Sequence, residues 1–330
     1  MRILFSLAAV LALLLVAYVG VAAAGGSYFF LVVFPYLALA AFFIGIIYRI
    51  LKWAGAPVPF HIPTTCGQQK SLGWIKPAKL EAPSTTWQVI GRMALEILLF
   101  RSLFRNTKAE RVPGEKVVYG SCKWLWAAGL AFHWSFLIVF IRHLRLFLEP
   151  IPQAMIWLEN LDGFFQVSVP GVLITDIILL SAITFLFLRR IFSRQIRYIS
   201  LAADYFPLFL IFGIAATGVL MRHFFKVDLK AVKQFAIGLV SFSPLQPEGL
   251  GIIFYLHIFL VFVLIAYFPF SKLMHIGGIF LSPTRNLANN SRAVRHINLW
   301  NPKVKMHSYQ EWEDEFHDLI IGAGLPLDKE

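Results

Sequence analysis

Six runs of apolar residues, each near the roughly 20 residues that a membrane helix needs, constrain this chain more than any other feature. They fall at about 3–24, 28–51, 124–148, 169–188, 201–225 and 250–269, the last extending to about His275. The chain is 58% hydrophobic and 15% charged, against roughly half and a quarter in soluble domains. The expected fold class is an all-α integral membrane protein with six transmembrane helices. Arg2, the stretch after it and Ala22-Ala23-Ala24 before Gly25-Gly26 also have the form of a secretory signal. We expect the run to be retained as an extra N-terminal helix over 1–27, turning through Gly-Gly-Ser into the second.

Charge sets the orientation. The segment 52–123 carries 11 Lys and Arg against four acidic residues. Arg189, Arg190, Arg194 and Arg197 fill the loop after the fourth run, and Lys272, Arg285, Arg292 and Arg295 open the tail. The loop between runs three and four has Glu149, Glu159 and Asp162 and no basic residue. Positive-inside then places both termini in the cytoplasm. Lys226, Lys230 and Lys233 on the opposite side weigh against this without reversing it. The net charge of +12 therefore belongs to loops beside membrane lipid, and nucleic acid is not an expected partner. Cys66 and Cys122 are too few for an iron–sulfur cluster, and no Cys-x-x-Cys-His occurs for covalent haem attachment.

Between the runs, 85–106 reads as a helix whose charges do not share one face, with Arg92 and Glu96 four apart as a possible ion pair. The tail, 276–330, carries Trp300 and Trp312 as aromatic anchors and is either a disordered end or a partner-binding arm.

Four of the nine histidines carry weight. His133 and His143 lie in the third run; His257 and His275 lie in and just beyond the sixth. An imidazole in hydrocarbon is expensive and usually functional, although a single one often only bonds a neighbouring helix. Ten residues of helix span roughly 15 Å and eighteen span roughly 27 Å, the latter five full turns. The two helices run in opposite directions. Depth therefore pairs His143 with His257 externally and His133 with His275 on the cytoplasmic side, each pair able to hold one haem iron. The mismatch of roughly 12 Å requires helix six to tilt, bend or end early, and Pro269 supplies a bend. Gly129, with Ala127, Ala128 and Ala131, leaves room for a flat macrocycle, and Gly277 and Gly278 follow His275. Ligation by two histidines with no free site suits electron transfer.

This pattern resembles the respiratory nitrate reductase gamma-subunit family, di-haem b membrane cytochromes that exchange electrons with quinone. The resemblance covers about 28–275 and implies a five-helix haem-binding bundle plus the extra first helix. The stretch from His275 through Gly277-Gly278 to Ser282-Pro283-Thr284-Arg285-Asn286, with Leu99-Phe100-Arg101-Ser102-Leu103-Phe104-Arg105-Asn106, is similar to the DsrM-type cytochromes of DsrMKJOP complexes. That narrower resemblance implies two haem b, menaquinone, a cytoplasmic iron–sulfur catalytic partner of the DsrK kind, the other DsrMKJOP subunits and a role in sulfur metabolism.

A quinone needs hydrogen-bond donors at its carbonyls and a route for protons. Arg142, Arg145, Asp176, Arg222 and His223 gather near the external end and are candidates for quinone or propionate contacts. Asp176 is expected a third of the way into helix four, and His223 to lack a partner at its depth. His61, His296, His307 and His317 read as solvated. The competing readings are a cytochrome b of another respiratory reductase, of nitrate or heterodisulfide type; a haem-free anchoring subunit; and, from a different class, a proton-coupled transporter.

Overall fold

The computed structural model describes residues 1–56, 67–114, 116–164, 166–167, 171–282, 285–290 and 306–328. His61, Cys66, Arg292, Arg295, His296, Trp300 and the start of the fourth run lie outside them. Helix α1 (Arg2–Ala22) turns back through Gly25, at φ 63°, into a π-helical turn, Phe29–Val33, and α2 (Phe34–Ala54). The turn closes tightly: an added Cβ on Gly20 would collide with the Phe30 ring. Next come α3 (Thr86–Leu99) and α4 (Arg101–Arg105), strands β1 (Thr107–Val112) and β2 (Lys116–Ser121), and α5 (Lys123–Leu144). Helix α6 (Gln153–Phe164) and the strand pair β3 (Gln166–Val167) and β4 (Val172–Leu173) lead into α7 (Ile174–Phe192) and α8 (Arg194–Ile199). Then follow α9 (Ala202–Val219), α10 (Leu229–Val240), α11 (Ile252–Tyr267), α12 (His275–Leu281) and α13 (Tyr309–Gly322).

Five stretches are long and apolar enough to cross a membrane: Arg2–Ala22, Phe29–Ala54, Lys123–Leu144, Ala202–Phe225 and Ile252–Phe270. The fourth predicted run is not among them. Its helix begins only at Ile174, because Val172 and Leu173 pair with Gln166 and Val167, and its 19 residues include Asp176, Arg189 and Arg190. Helix α7 nonetheless sits inside the bundle, packed between α5 and α9. Helix α9 also packs on α1 and α11, and α11 on α1 and α2.

Lipid tails are as apolar as leucine, so close fit and hydrogen bonds hold such helices together rather than water exclusion. Val10, Leu210 and Leu260 interlock α1, α9 and α11; Ala17, Phe30 and Phe259 join α1, the π-helical turn before α2 and α11. Fully buried Ser6 donates to Ala202 O at 2.9 Å, tying α1 to α9. The outer faces stay apolar, with Phe43, Ile44, Ile47 and Leu51 of α2 exposed. Helix α10 is amphipathic. It buries Val232, Phe235 and Leu239 against Leu31 and Phe254 at one end of the bundle.

Three features differ from the sequence reading. The fold is not purely α, because 107–121 forms a hairpin whose turn carries the Pro113-Gly114 pair, with Gly114 at φ 89°. The helix over 85–106 breaks at Phe100, which takes φ 50°. Its charged residues do share a face, since Arg92 and Glu96 are buried with Val89. Glu96 accepts from Ser102 N at 3.1 Å and from Ser102 Oγ. The tail is also structured in two places. Asn289 is buried and donates its N–H to Pro83 O at 2.6 Å, and α13 opens with a capping box from Ser308 and Glu311.

Candidate haem-binding and proton-handling site

Helix α5 is continuous through both of its histidines, whereas α11 is not continuous through its own. It stops at Tyr267 and gives way to 3-10 turns at Phe268–Phe270 and Lys272–Met274 before α12 starts at His275. Pro269 has no N–H to continue the ladder and its ring crowds the carbonyl four residues back. The carbonyls freed there are used: Arg49 of α2 donates to Pro269 O at 3.2 Å and to Ser271 O at 3.3 Å.

The result brings the four rings together in two pairs. His143 and His257 have ring centroids 6.4 Å apart with planes 20° from parallel. His133 and His275 have centroids 5.9 Å apart with planes at 82°. In every ring Nδ1 is occupied. Those of His133 and His143 each lie 2.7 Å from the carbonyl four residues earlier, Gly129 O and Val139 O. That of His275 lies 3.0 Å from Lys272 O. A carbonyl only accepts, so these three nitrogens carry the proton. His257 Nδ1 lies 3.0 Å from Thr217 Oγ1, whose own hydroxyl is directed at Gly213 O, 2.7 Å away. The threonine therefore accepts from the ring. All four rings keep the Nε2 lone pair available, as metal-binding histidines do.

The spacing fits a bridging metal. A metal–imidazole bond of about 2 Å and roughly 1.2 Å from nitrogen to ring centre, taken twice, give about 6.4 Å. Both pairs stand close to that value. There is width as well, since α5 and α11 are not closely packed on each other among the described residues. Gly218 contributes clearance, because an added Cβ would stand 3.2 Å from His257 Cε1. Gly129, also expected to leave room, supplies the carbonyl that the His133 ring bonds. An added Cβ there would meet Leu103 and Phe100 at 3.8 and 4.0 Å, so it borders the corner between α3 and α4. From that corner the Phe100 ring packs edge-on against His133 at 4.9 Å. Gly277 and Gly278 face Trp53.

The charged candidates also cluster, at the His143 end. Arg142 is buried in an ion pair with Asp162, donates to Thr175 Oγ1 at 3.1 Å and lies 3.7 Å from Asp176. Thr175 in turn donates to Asp162 Oδ2 at 2.8 Å. His223 is not solitary, as its Nε2 lies 3.1 Å from Asp176 Oδ2 and both side chains are buried. Asp176 stands in the first turn of α7 rather than a third of the way in, where the helix dipole favours a carboxylate. Arg145 pairs with Glu159, and Arg222 lies 3.9 Å from the same carboxylate. Sequence reasoning missed Asp162 and Glu159 as members of this site. In the sequence both are loop charges, and the available signal is their place after Arg142 and Arg145 in a loop whose only other acid is Glu149. His307 and His317 lie on the surface beside Glu315 and Asp318.

The match that decides the family runs over residues 85–296 and is to the nitrate reductase gamma subunit model. The chain belongs to that family. The region matched contains α5, α7, α9, α11 and α12, and so all four histidines. Helices α1 and α2 lie outside it, which shortens the likeness expected from 28 onward. Two relatives are named Hdr-like menaquinol oxidoreductase cytochrome b-like subunit. That of Archaeoglobus fulgidus is 45% identical over 283 residues, 82% of this chain and 83% of its own. That of Archaeoglobus profundus is 42% identical over 279 residues, 82% of each chain. This chain is thus similar to proteins named as the cytochrome b-like subunit of a menaquinol oxidoreductase.

Proposed function

We propose that this chain is the membrane cytochrome b subunit of a menaquinol-linked oxidoreductase, of the DsrM type, working with a cytoplasmic iron–sulfur partner in sulfur metabolism. The observation that carries it is the pairing of four imidazoles, every one with Nδ1 engaged and Nε2 open. His143 and His257 would hold one haem b, and His133 and His275 the other. When bound, these groups supply one-electron transfer between a quinone at one face and the iron–sulfur subunit at the other. The names of the archaeal relatives support both the menaquinone and the partner. With two cysteines in the whole chain, the sulfur chemistry belongs to the partner, of the DsrK kind, within an assembly resembling DsrMKJOP.

The chain's own residues divide the remaining work. Thr217 orients His257, and the backbone carbonyls orient the other three rings. Asp176 and His223 can hold a single proton between them in a buried setting, the arrangement a quinol hydroxyl needs in order to leave its proton behind. Arg145 and Arg222, only partly buried at 34% and 44% side-chain exposure, can donate to a quinone carbonyl or a propionate. Arg142 is committed to Asp162 and holds the floor of the site. Six spans, counting α7, put both termini in the cytoplasm, with 52–123 and 276–330 facing the partner.

Purified protein tests this directly. A pyridine haemochrome assay should count two b haems per chain, and menaquinol should reduce them. Protein with full helical content and no haem would overturn the reading in favour of an anchor or a transporter.

A further inference from the structure

At the end of the bundle that carries the His133–His275 pair, an open cavity of about 780 Å³ is lined by Arg2, Arg194, Arg197, Tyr198, Ile199 and Leu201. The end is fixed by Lys272, three residues before His275, which bonds Asp204 at 2.7 Å in the first turn of α9. Three separate elements build the cavity: the start of α1, the short helix α8 and the entry to α9.

Its basic residues are partly organised and not neutralised. Arg2 Nη1 donates to Tyr198 O at 3.2 Å and to Ser200 O at 2.9 Å. Those carbonyls belong to the cavity wall, so the guanidinium is held in place while its other N–H groups stay available. Arg190, one turn away, is anchored to Ser200 Oγ at 3.1 Å. Asp204 is the acid nearest in sequence, and it is already engaged by Lys272. Arg194 and Arg197 are exposed. No acidic side chain forms an ion pair with Arg2, Arg194 or Arg197 among the described residues. Beside them the wall is apolar and open: Tyr198 is 85% exposed, Ile199 72% and Leu201 51%. Guanidinium groups over exposed aliphatic and aromatic surface, at the level where membrane helices end, form a two-part site. The charged part recognises phosphate oxygens, to which arginine donates bidentately. The apolar part accepts the first methylenes of a chain. A soluble anion would use only the first part.

We infer that this cavity binds the anionic phosphodiester headgroup of a membrane lipid, with Arg194 and Arg197 as its principal ligands and Arg2 as the fixed one. The site is independent of the electron-transfer reading, since none of its residues touches the histidine pairs. It would seat a lipid between the first helix and the α7–α9 connection, at the point where α1 joins the bundle.

The test uses the full-length chain in detergent, delipidated and then exposed separately to phosphatidylglycerol, phosphatidylcholine and inorganic phosphate. Native mass spectrometry and thermal denaturation read the result. Phosphatidylglycerol should remain bound at about one per chain and raise the denaturation midpoint, whereas phosphatidylcholine should do neither. The Arg194→Gln/Arg197→Gln variant should bind it roughly thirty-fold more weakly, at about five-fold per arginine near a membrane surface. The Arg111→Gln/Lys116→Gln variant, which removes two charges from the β1–β2 hairpin instead, should bind as the parent does. Arg194→Lys/Arg197→Lys separates folding from recognition: it keeps the charge, and it should recover only part of the affinity. Equal protection by inorganic phosphate would show a free-anion site and overturn the proposal. So would equal retention of phosphatidylcholine, or undiminished phosphatidylglycerol binding in the double Gln variant.

Discussion

Thr217 Oγ1 accepts the Nδ1–H of His257 across a 3.0 Å hydrogen bond while giving its own proton to Gly213 O at 2.7 Å. Among the four rings it is the one where a side-chain hydroxyl takes part in setting the imidazole, beside the Ile214 backbone. Thr217→Val keeps the shape and removes the acceptor. An N–H left buried without a partner costs about 1–3 kcal/mol, and loss of such a support weakens metal binding roughly 10–100-fold. Haem titration of Thr217→Val should show one weakened site and one normal site, and Thr217→Ser should bind as the parent does. Two equally affected sites would remove Thr217 from this role.

The pairing itself makes a sharper statement. His143→Ala and His257→Ala should each abolish the same spectroscopic haem, and His133→Ala and His275→Ala the other. If His143→Ala and His275→Ala instead deplete one common species, the antiparallel pairing is wrong. Low-temperature difference spectra of the four variants decide it.

Asp176→Asn keeps a hydrogen bond to His223 and removes the carboxylate. Both haem spectra should persist while reduction by a menaquinol analogue slows by about 10²-fold or more, the lower end of a general-base contribution. Unchanged stopped-flow kinetics would leave Asp176 with a structural role only.

Asp162→Ala addresses stability. The side chains of Arg142 and Asp162 are 4% and 2% exposed, and stripping a buried charge of its partner typically costs about 3–5 kcal/mol. The variant should denature at a clearly lower temperature than Glu159→Ala, whose partner Arg145 is 34% exposed and can turn to water. Equal midpoints would mean that Asp176 alone satisfies Arg142.

Truncation after residue 283 removes Asn289 from its seat on Pro83 and all of α13. Both haems should remain in membranes, and the iron–sulfur subunit should be lost on purification. Co-purification of a full partner set with the truncated chain would count against the tail as the docking arm.

The long helices were legible because their apolar runs exceed what loops or soluble helices sustain, and the histidine pairs because spacing fixes depth along a rod. What stayed hidden needed a second element to give it meaning. Asp162 and Glu159 were visible only as loop charges until α6 folded back over α5. The hairpin over 107–121 has β-branched and charged residues mixed on both faces, which blurs its alternation, although Pro113-Gly114 marked the turn. Arg92 and Glu96 take their meaning from Glu81 O, Ser102 and Arg285, and the last of these lies far along the chain. Pro269 was read as the bend, but that Arg49 would stabilise its open carbonyls could not be, since nothing local joins α2 to that turn.

Helix α5 leans on α7, while α11 leans on α9, α1 and α2. Each wall of the cleft therefore rests on a helix of its own, and the two supports meet where α7 packs on α9. Anything lodged between them acts as a keystone, arriving after both walls stand and adding its own affinity to the stability of the whole. Synthesis imposes the same order, because His133 and His143 emerge from the ribosome long before His257 and His275. Until the last long helix inserts, each half-site is a one-armed grip. A cofactor held by both histidine pairs would then load at the end of assembly rather than its beginning, and a chain that fails to load would leave its two walls joined through α7 and α9 alone.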